Sequence, residues 1–286
     1  MLLSYYGWGI AHEQTGIPCQ DSLVGFRTAN GTTVLAISDG ATEAKYALTA
    51  SKLTVQTVAA FFERMTLDEF LAMPRQLGAQ LLLEECFDCL VKAADGQEEP
   101  DLRHYSATLV FAVIGPERIL VGNLGDGCAV ALDAQGNVLL DSCGDPNKGR
   151  GNVPTFTISE SAEQNLRLYV LDRAETPVDY LVLTSDGPTE MLRNRSGGDL
   201  IATVRELWGY TVRQGMTDNA IFEDVIEQMA EVPLERMDDW SMLIWGPGIP
   251  EGEVRPDTQP HSMLHNEVHK RQRRLAADAE TETEEE

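Results

Sequence analysis

Two short segments place a carboxylate at the end of an apolar run. The stretches "VLAISDGATE" at 34–43 and "LVLTSDGPTE" at 181–190 each carry β-favouring residues that stop at a Ser-Asp-Gly triplet. The acids of the two triplets are Asp39 and Asp186. Strand ends are rigid points of a fold and can hold several carboxylates at fixed separations. The two segments therefore predict that these acids work together at one site.

Further acids follow the same pattern. Asp126 lies between the apolar runs "ILVGNLG" and "GCAVAL", and Asp238 and Asp239 precede "SMLIW". A buried carboxylate is costly unless it is paired or bound to a cation. Because Mg²⁺ and Mn²⁺ prefer oxygen ligands, these acids predict a divalent-metal site; Asp238 and Asp239 count as one of the four positions. For any one of them alone the alternative is a simple turn, since Asp-Gly is a common turn dipeptide.

The elements that would position these acids come in blocks. The strand patterns "LSYYGWGIA", "DSLVGFRTA" and "TTVLAIS" lead into two helical stretches at roughly 44–63 and 67–94, the second interrupted near Pro74. A meander of strands returns over 106–140, and strands and helices then precede a last strand at 241–246. This order is not a regular βα alternation. It predicts an α+β fold in which sheet packs on sheet with helices outside.

Composition limits the classes of partner. The chain has 286 residues and a formal net charge of −24, which argues against nucleic acid or an anionic membrane surface. No apolar run reaches the ~18 residues that a membrane span needs. Residues 1–249 have the composition of a folded domain, whereas 250–286 lack core-forming density and end in an acidic run. We expect a globular domain followed by a disordered tail.

Five cysteines, an odd number, form no even disulfide framework and are typical of a reducing compartment. The amino terminus carries no basic segment of the kind that begins a signal peptide. We therefore expect a cytoplasmic protein.

These segments resemble, in order, the metal-dependent serine/threonine phosphatases of the protein phosphatase 2C type (PPM family), in a bacterial-like subgroup. The resemblance runs from "IPCQDSLVG" and "AISDGA" through "SATLVFAVI", "ILVGNLGDGCAVAL" and "LVLTSDGPTEML" to "DDWSMLIW". It implies a four-layer α-β-β-α sandwich, with two antiparallel sheets flanked by helices. It also implies hydrolysis of phosphoserine and phosphothreonine in proteins by a water molecule that two metal ions activate.

The resemblance implies two ions of Mn²⁺ or Mg²⁺, with a third at a weaker site. Asp39, Asp186 and Asp238 would be the catalytic carboxylates. Asp239 stands where the family usually has Asn, which leaves open whether Asp238 or Asp239 is the ligand. The implied metal residues are Asp39, Gly40, Asp186 and Asp238 for the first two ions, Asp126 and Glu190 for the third, and Asp21 close to the metals.

Three departures from the family pattern favour an alternative function, that of a weakly active or inactive pseudophosphatase serving as a binding or regulatory module. The family often has a glutamate at the position of Gln20. The animal enzymes have a phosphate-binding arginine at the position of Gly16 and a histidine, proposed as general acid, at that of Ala41. The retained Asp39, Asp186 and Asp238 favour the enzyme, because metal binding survives these changes.

A Gly- and Pro-rich stretch at 141–160 lies where the family carries a variable flap beside the active site. Lys148 and Arg150 are candidates for the missing phosphate contact, and the alternative is that they are solvated loop charges. The expected partners are a phosphorylated protein substrate and a cognate serine/threonine kinase, with neither nucleic acid nor membrane. We expect a monomer.

Overall fold

The computed structural model describes residues 2–97, 100–143, 155–189, 200–214, 238–246 and 253–262. The strands are β1 (Leu2–Trp8), β2 (Asp21–Arg27), β3 (Thr33–Asp39), β4 (Leu109–Ile114), β5 (Arg118–Leu124), β6 (Cys128–Leu132), β7 (Val138–Asp141), β8 (Arg167–Asp172), β9 (Tyr180–Thr184), β10 (Trp240–Trp245) and β11 (His261–Ser262). The α-helices are α1 (Ile10–Thr15), α2 (Ala47–Arg64), α3 (Leu67–Ala72), α4 (Arg75–Asp95), α5 (Ala162–Asn165) and α6 (Leu200–Gln214), and a 3₁₀ helix η1 spans Leu102–Tyr105.

The strands form two sheets. One has five strands in the order β2-β3-β4-β5-β8, and the other has six in the order β11-β1-β10-β9-β6-β7. Neighbouring strands are antiparallel except for β1 and the short β11, which run parallel. The predicted sandwich of two antiparallel sheets flanked by helices is confirmed.

Alternation along β3 shows how the sheets are covered. Leu35 and Ile37 belong to the core between the two sheets, where they are joined by Leu183 of β9. Val34 and Ala36 belong to a separate core between the five-stranded sheet and the helices α2, α3 and α4. Successive side chains of a strand point to opposite faces, so a strand covered on both faces carries a continuous apolar run. The uninterrupted runs before the Ser-Asp-Gly triplets arise in this way.

Helices cover both outer faces of the sandwich. In α2, Val58 and Phe62 pack against the five-stranded sheet. In α6, Val204 and Leu207 pack against the six-stranded sheet. The predicted interruption of the second helical stretch is confirmed, because Pro74 separates α3 from α4. Among the described helices, none combines the length and apolar character that crossing a membrane requires.

The structure pairs Cys128 with Cys143 as a disulfide, with Cα atoms 4.3 Å apart. The odd number of cysteines predicted no such framework. The pair forms because β6 begins at Cys128 and β7 returns antiparallel beside it, which brings Cys143, two residues after the end of β7, next to that start. The three other cysteines are free thiols.

Part of the predicted tail is packed on the domain. Val254 exchanges two backbone hydrogen bonds with Gly25 of β2, and β11 pairs with β1. Pairing with strand edges orders these residues despite their polar composition. Residues 263–286 lie outside the described part of the chain, and the boundary at 249 stays a prediction.

Candidate metal centre

The hairpin of β2 and β3 places two of the predicted acids, the first two along the chain, side by side. Asp21 and Asp39 are directly paired residues of the two strands. The backbone N–H of Asp39 donates to Thr108 Oγ1 at 3.1 Å, and the carbonyl of Asp39 accepts from the N–H of Thr108 at 2.8 Å. Contacts on both sides therefore fix the end of β3 within the five-stranded sheet.

Two tight connections bring in carboxylates from other strands. Asp126 lies in the turn between β5 and β6, after Gly125, whose φ of +103° favours glycine. Asp186 follows Ser185 at the end of β9, in the six-stranded sheet. The N–H of Ser185 donates to the carbonyl of Ser241 in β10 at 3.0 Å, which holds this strand end against its neighbour.

These connections gather three of the acids into one cluster. Carboxylate oxygens of Asp39, Asp126 and Asp186 all lie within 4.8 Å of one another. Asp39 and Asp186 are half-buried and Asp126 is buried. All three line a cavity of about 690 Å³, and Asp238 lines the same cavity. The predicted convergence of acids from separate strand ends on one site is therefore present.

The electrostatics of the cluster favour a cation. Burial raises the pKa of Asp39 well above its usual value, and the neighbouring carboxylates of Asp186, Asp21, Asp238 and Asp126 raise it further. Like charges at such distances disfavour ionisation unless a positive charge offsets them. A divalent cation supplies that charge, and oxygen atoms from aspartates are the ligands that Mg²⁺ and Mn²⁺ prefer. The donor set therefore fits the implied metals.

Asp21 lies behind the cavity rather than in its lining. Its side chain is buried, and its Oδ2 accepts a hydrogen bond from Ser185 Oγ at 2.7 Å. Burial and the nearby Asp239 raise the pKa of Asp21, while the neighbouring hydroxyl groups of Ser241 and Ser185 act in the opposite direction. Asp21 thus joins the ends of the two sheets beneath the cluster.

The two acids before β10 have different surroundings. The side chain of Asp238 is 49% exposed and faces the cavity, whereas that of Asp239 is 2% exposed. Both oxygens of Asp239 accept hydrogen bonds: Oδ1 from the N–H of Gly9 at 2.7 Å, Oδ2 from the N–H of Gln20 at 2.6 Å and from His12 Nδ1 at 2.8 Å. The hydrogen bond to Asp239 raises the pKa of His12, against the opposing effect of burial.

Of the other predicted site residues, the structure describes Gly40, Ala41 and Gly16. Gly40 follows Asp39, and a Cβ there would lie 2.4 Å from the carbonyl oxygen of Ala47, so the start of α2 leaves no room for a side chain. Ala41 lines the cavity, and Gly16 ends α1. Outside the described residues lie Glu190, Lys148 and Arg150.

One wall of the cavity was not predicted from the sequence. Arg103 and His104, on η1, line it together with Asp101 and with Phe156, which follows the Gly- and Pro-rich stretch. They are the only basic residues in the cavity lining of the described chain. No sequence signal marks them except their position just before "SATLV", the segment that leads into β4.

Comparisons with known proteins place this geometry in a family. The sequence model of the family described as protein phosphatase 2C matches residues 8–222. No curated protein sequence gave a significant match.

The fold is similar to those of several solved bacterial phosphatases. The serine/threonine phosphatase Stp1 from Staphylococcus aureus superposes with a TM-score of 0.61 at 16% identity, over 86% of this chain and 94% of that one. The serine/threonine phosphatase PstP/Ppp of Mycobacterium tuberculosis gives 0.58 at 14% identity, over 85% and 97%. The catalytic domain of PstP in complex with two manganese ions gives 0.58 at 14% identity, over 85% and 96%.

At these identities the structural likeness establishes the fold alone. The family assignment rests on the sequence model, which spans more than half of the chain. The chain belongs to the protein phosphatase 2C family of protein-serine/threonine phosphatases.

Proposed function

We propose that the chain is an active, metal-dependent phosphoprotein phosphatase that hydrolyses phosphoserine and phosphothreonine. The observation that carries this proposal is the cluster of Asp39, Asp126 and Asp186, whose carboxylate oxygens lie within 4.8 Å of one another on the wall of a cavity of about 690 Å³. A cavity of this size accommodates a phosphorylated side chain with its adjoining backbone. A serine/threonine kinase that phosphorylates the same protein is the expected partner.

The residues that would hold two ions of Mn²⁺ or Mg²⁺ are Asp39, the Gly40 carbonyl, Asp186 and Asp238, with Asp126 at a weaker third site. Glu190, the other candidate for that site, lies outside the described residues. When bound, these ions lower the pKa of a water molecule and offset the negative charge of the phosphoryl oxygens.

The protein's own contribution is to hold the acids in place before the ions bind. Thr108 fixes the end of β3 through both backbone groups of Asp39. Ser185 fixes the start of the segment that carries Asp186, through its bonds to Asp21 and Ser241. Carboxylates held at fixed separations do not have to be ordered when a cation binds, which favours affinity.

The proposed hydrolysis uses no nucleophilic side chain of the protein. The free thiols of the described chain, Cys19, Cys86 and Cys89, are absent from the cavity lining. The hydroxyl of Ser106, which does line it, donates to the carbonyl of Arg103 at 2.9 Å. Replacement of any of these side chains is therefore expected to leave hydrolysis in place.

A pseudophosphatase is the second candidate, and one observation favours it. Ala41 places a methyl group in the cavity lining, at the position that the resemblance assigns to a general-acid histidine. Without that acid, a poor leaving group departs slowly even when the metals are bound. The two candidates differ in turnover and agree in metal binding.

The deciding experiment measures hydrolysis of p-nitrophenyl phosphate and of a phosphothreonine peptide by the purified full chain, in millimolar Mn²⁺ and in EDTA. Asp186→Asn removes one ligand charge with little change of shape, and Asp88→Asn, at an exposed position of α4, is the matched control. The phosphatase requires turnover that is lost in EDTA and in Asp186→Asn and kept in Asp88→Asn. Mn²⁺ binding without turnover on either substrate would instead identify the pseudophosphatase.

A further inference from the structure

We propose that Arg103 binds the phosphoryl group of the substrate, as the cationic residue of the cavity wall. This inference rests on the proposed function, because it assigns a role in that same site. It is independent of which residues hold the metals.

The lining of the cavity carries mostly negative charge. It has six acidic residues, of which four belong to the candidate metal centre, and Arg103 is the only lysine or arginine among the described lining residues. A phosphate monoester brings further negative charge into this space. Two divalent cations would carry four positive charges against four carboxylates and the phosphoryl group together, so N–H donors to the phosphoryl oxygens would offset charge that the ions alone do not. Arginine is the side chain best suited to supply them.

Arg103 is held in position by a neighbouring carboxylate. Asp101, which precedes η1, accepts from Arg103 Nε at 3.1 Å and from Nη2 at 2.7 Å. The N–H of Arg103 also donates to Asp101 Oδ1 at 3.0 Å. A long side chain that is already ordered loses less conformational entropy when it binds a ligand.

The helix η1 is attached to the candidate metal centre through the backbone. The N–H of Ala41 donates to the carbonyl of Ser106 at 2.9 Å, and the N–H of Tyr46 donates to the carbonyl of His104 at 3.0 Å. Gly40, next to Asp39, forms a β-bridge with Ala107. These bonds fix η1 relative to the end of β3. The backbone that carries Arg103 and the carboxylates of the cluster therefore keep a constant separation.

Part of the Arg103 guanidinium remains available as a hydrogen-bond donor. Asp101 engages Nε and Nη2 of the guanidinium, whereas Nη1 donates to no acceptor in the described part of the chain. The side chain of Arg103 is 87% exposed. An ion pair that served stability alone would contribute little at such exposure. A guanidinium that is fixed by one carboxylate and still has free donors is suited to bind an oxyanion.

The test uses the Mn²⁺-loaded full chain and the variants Arg103→Ala, Arg103→Lys and Arg64→Ala. Arg64 is the matched control, because it is also an exposed arginine in an ion pair, with Glu85, and lies outside this cavity. The measured quantities are KM and kcat for a phosphothreonine peptide, the inhibition constant of inorganic phosphate, and Mn²⁺ affinity by calorimetry.

For Arg103→Ala we expect KM and the phosphate inhibition constant to rise about tenfold, as for the loss of a charge-assisted hydrogen bond. Mn²⁺ affinity should stay at the wild-type value, and kcat should change less than KM. Arg103→Lys should recover part of the loss, since lysine keeps the charge without the planar fork. Arg64→Ala should match the wild type.

Unchanged KM and phosphate inhibition in Arg103→Ala would overturn the proposal, and so would a loss of Mn²⁺ affinity as large as the loss of phosphate affinity. If the wild type turns over no substrate, the proposed function fails by itself. Calorimetric binding of inorganic phosphate to the Mn²⁺-loaded wild type and to Arg103→Ala then still decides the role of Arg103.

Discussion

Asp238 and Asp239 are adjacent and chemically identical, and the structure predicts opposite consequences for removing their charges. Asp239 accepts hydrogen bonds from Gly9, Gln20 and His12 with both of its oxygens. An asparagine has one oxygen and one NH₂ group. In either orientation the NH₂ group of Asp239→Asn would face at least one of these N–H donors.

The least damaging orientation turns the NH₂ group towards Gly9 and leaves the oxygen for Gln20 and His12. A buried donor that loses its acceptor costs about 1–3 kcal/mol, and the two remaining bonds lose their charged acceptor. We therefore expect the free energy of unfolding to fall by about 3 kcal/mol. For a domain of this size that corresponds to a Tm lower by about 9 °C.

Asp238→Asn should behave differently. The side chain of Asp238 is half exposed, and its Oδ1 accepts from the N–H of Asp239 at 2.8 Å, a bond that an asparagine oxygen can also accept. In EDTA its unfolding free energy should lie within about 0.5 kcal/mol of the wild-type value. Added Mn²⁺ should raise the Tm of the wild type and of Asp239→Asn much more than that of Asp238→Asn.

Thermal unfolding of the three proteins in EDTA and over a Mn²⁺ titration measures both effects. The assignment of Asp238 as ligand and Asp239 as structural acceptor would be refuted by the reverse pattern. In that pattern Asp239→Asn would keep the wild-type Tm in EDTA and lose the response to Mn²⁺.

Three further predictions follow from the same region. The fold raises the pKa of Asp39 above its ordinary value of 3.8, so in EDTA this carboxyl group destabilises the fold increasingly as the pH rises above that value. Asp39→Asn lacks this effect. The amount by which its unfolding free energy exceeds that of the wild type should therefore grow from pH 4 towards neutrality in denaturant titrations. Gly40→Ala places a Cβ 2.4 Å from the carbonyl oxygen of Ala47 and should lower the unfolding free energy by about 1–3 kcal/mol. An unchanged unfolding free energy would show that the backbone of α2 does not approach Gly40 so closely. Thiol titration of the denatured, unreduced chain should detect three of the five cysteines, and all five after reduction, because Cys128 and Cys143 are paired.

The acids of the cluster were predictable because each follows a local pattern. A continuous apolar run that ends at Ser-Asp-Gly indicates a strand buried on both faces and a carboxylate at its end. Asp39 and Asp186 both obey this pattern, and Asp126 lies in a glycine-flanked turn. The order of these segments was enough to predict that sheet packs on sheet with helices outside, since the side chains along each strand alternate between two covered faces.

The different roles of Asp21 and Asp239 were not predictable, because they depend on which side of a strand end faces the cavity. Asp21 pairs with Asp39 across the hairpin, yet its side chain turns towards Ser185 of the other sheet. Asp239 has acceptor contacts to residues more than two hundred positions away in the sequence. Arg103 was missed for a related reason: a charged residue on a short helix shows no periodicity that would relate it to a site.

The bond between Ser185 and Asp21 indicates how folding and metal binding are linked. Asp39 belongs to the five-stranded sheet and Asp186 follows a strand of the six-stranded sheet, so the cluster exists only when the two sheets are packed together. The 2.7 Å contact from Ser185 Oγ to Asp21 joins the sheets directly beneath the carboxylates, and the N–H of Ser241 donates to Ser185 Oγ at 3.1 Å within the six-stranded sheet. A cation that binds Asp39 and Asp186 together therefore stabilises the packing of the sheets, and the unfolded chain offers it no equivalent site. The repulsion among the acids, which destabilises the metal-free fold, thus becomes a source of metal-dependent stability.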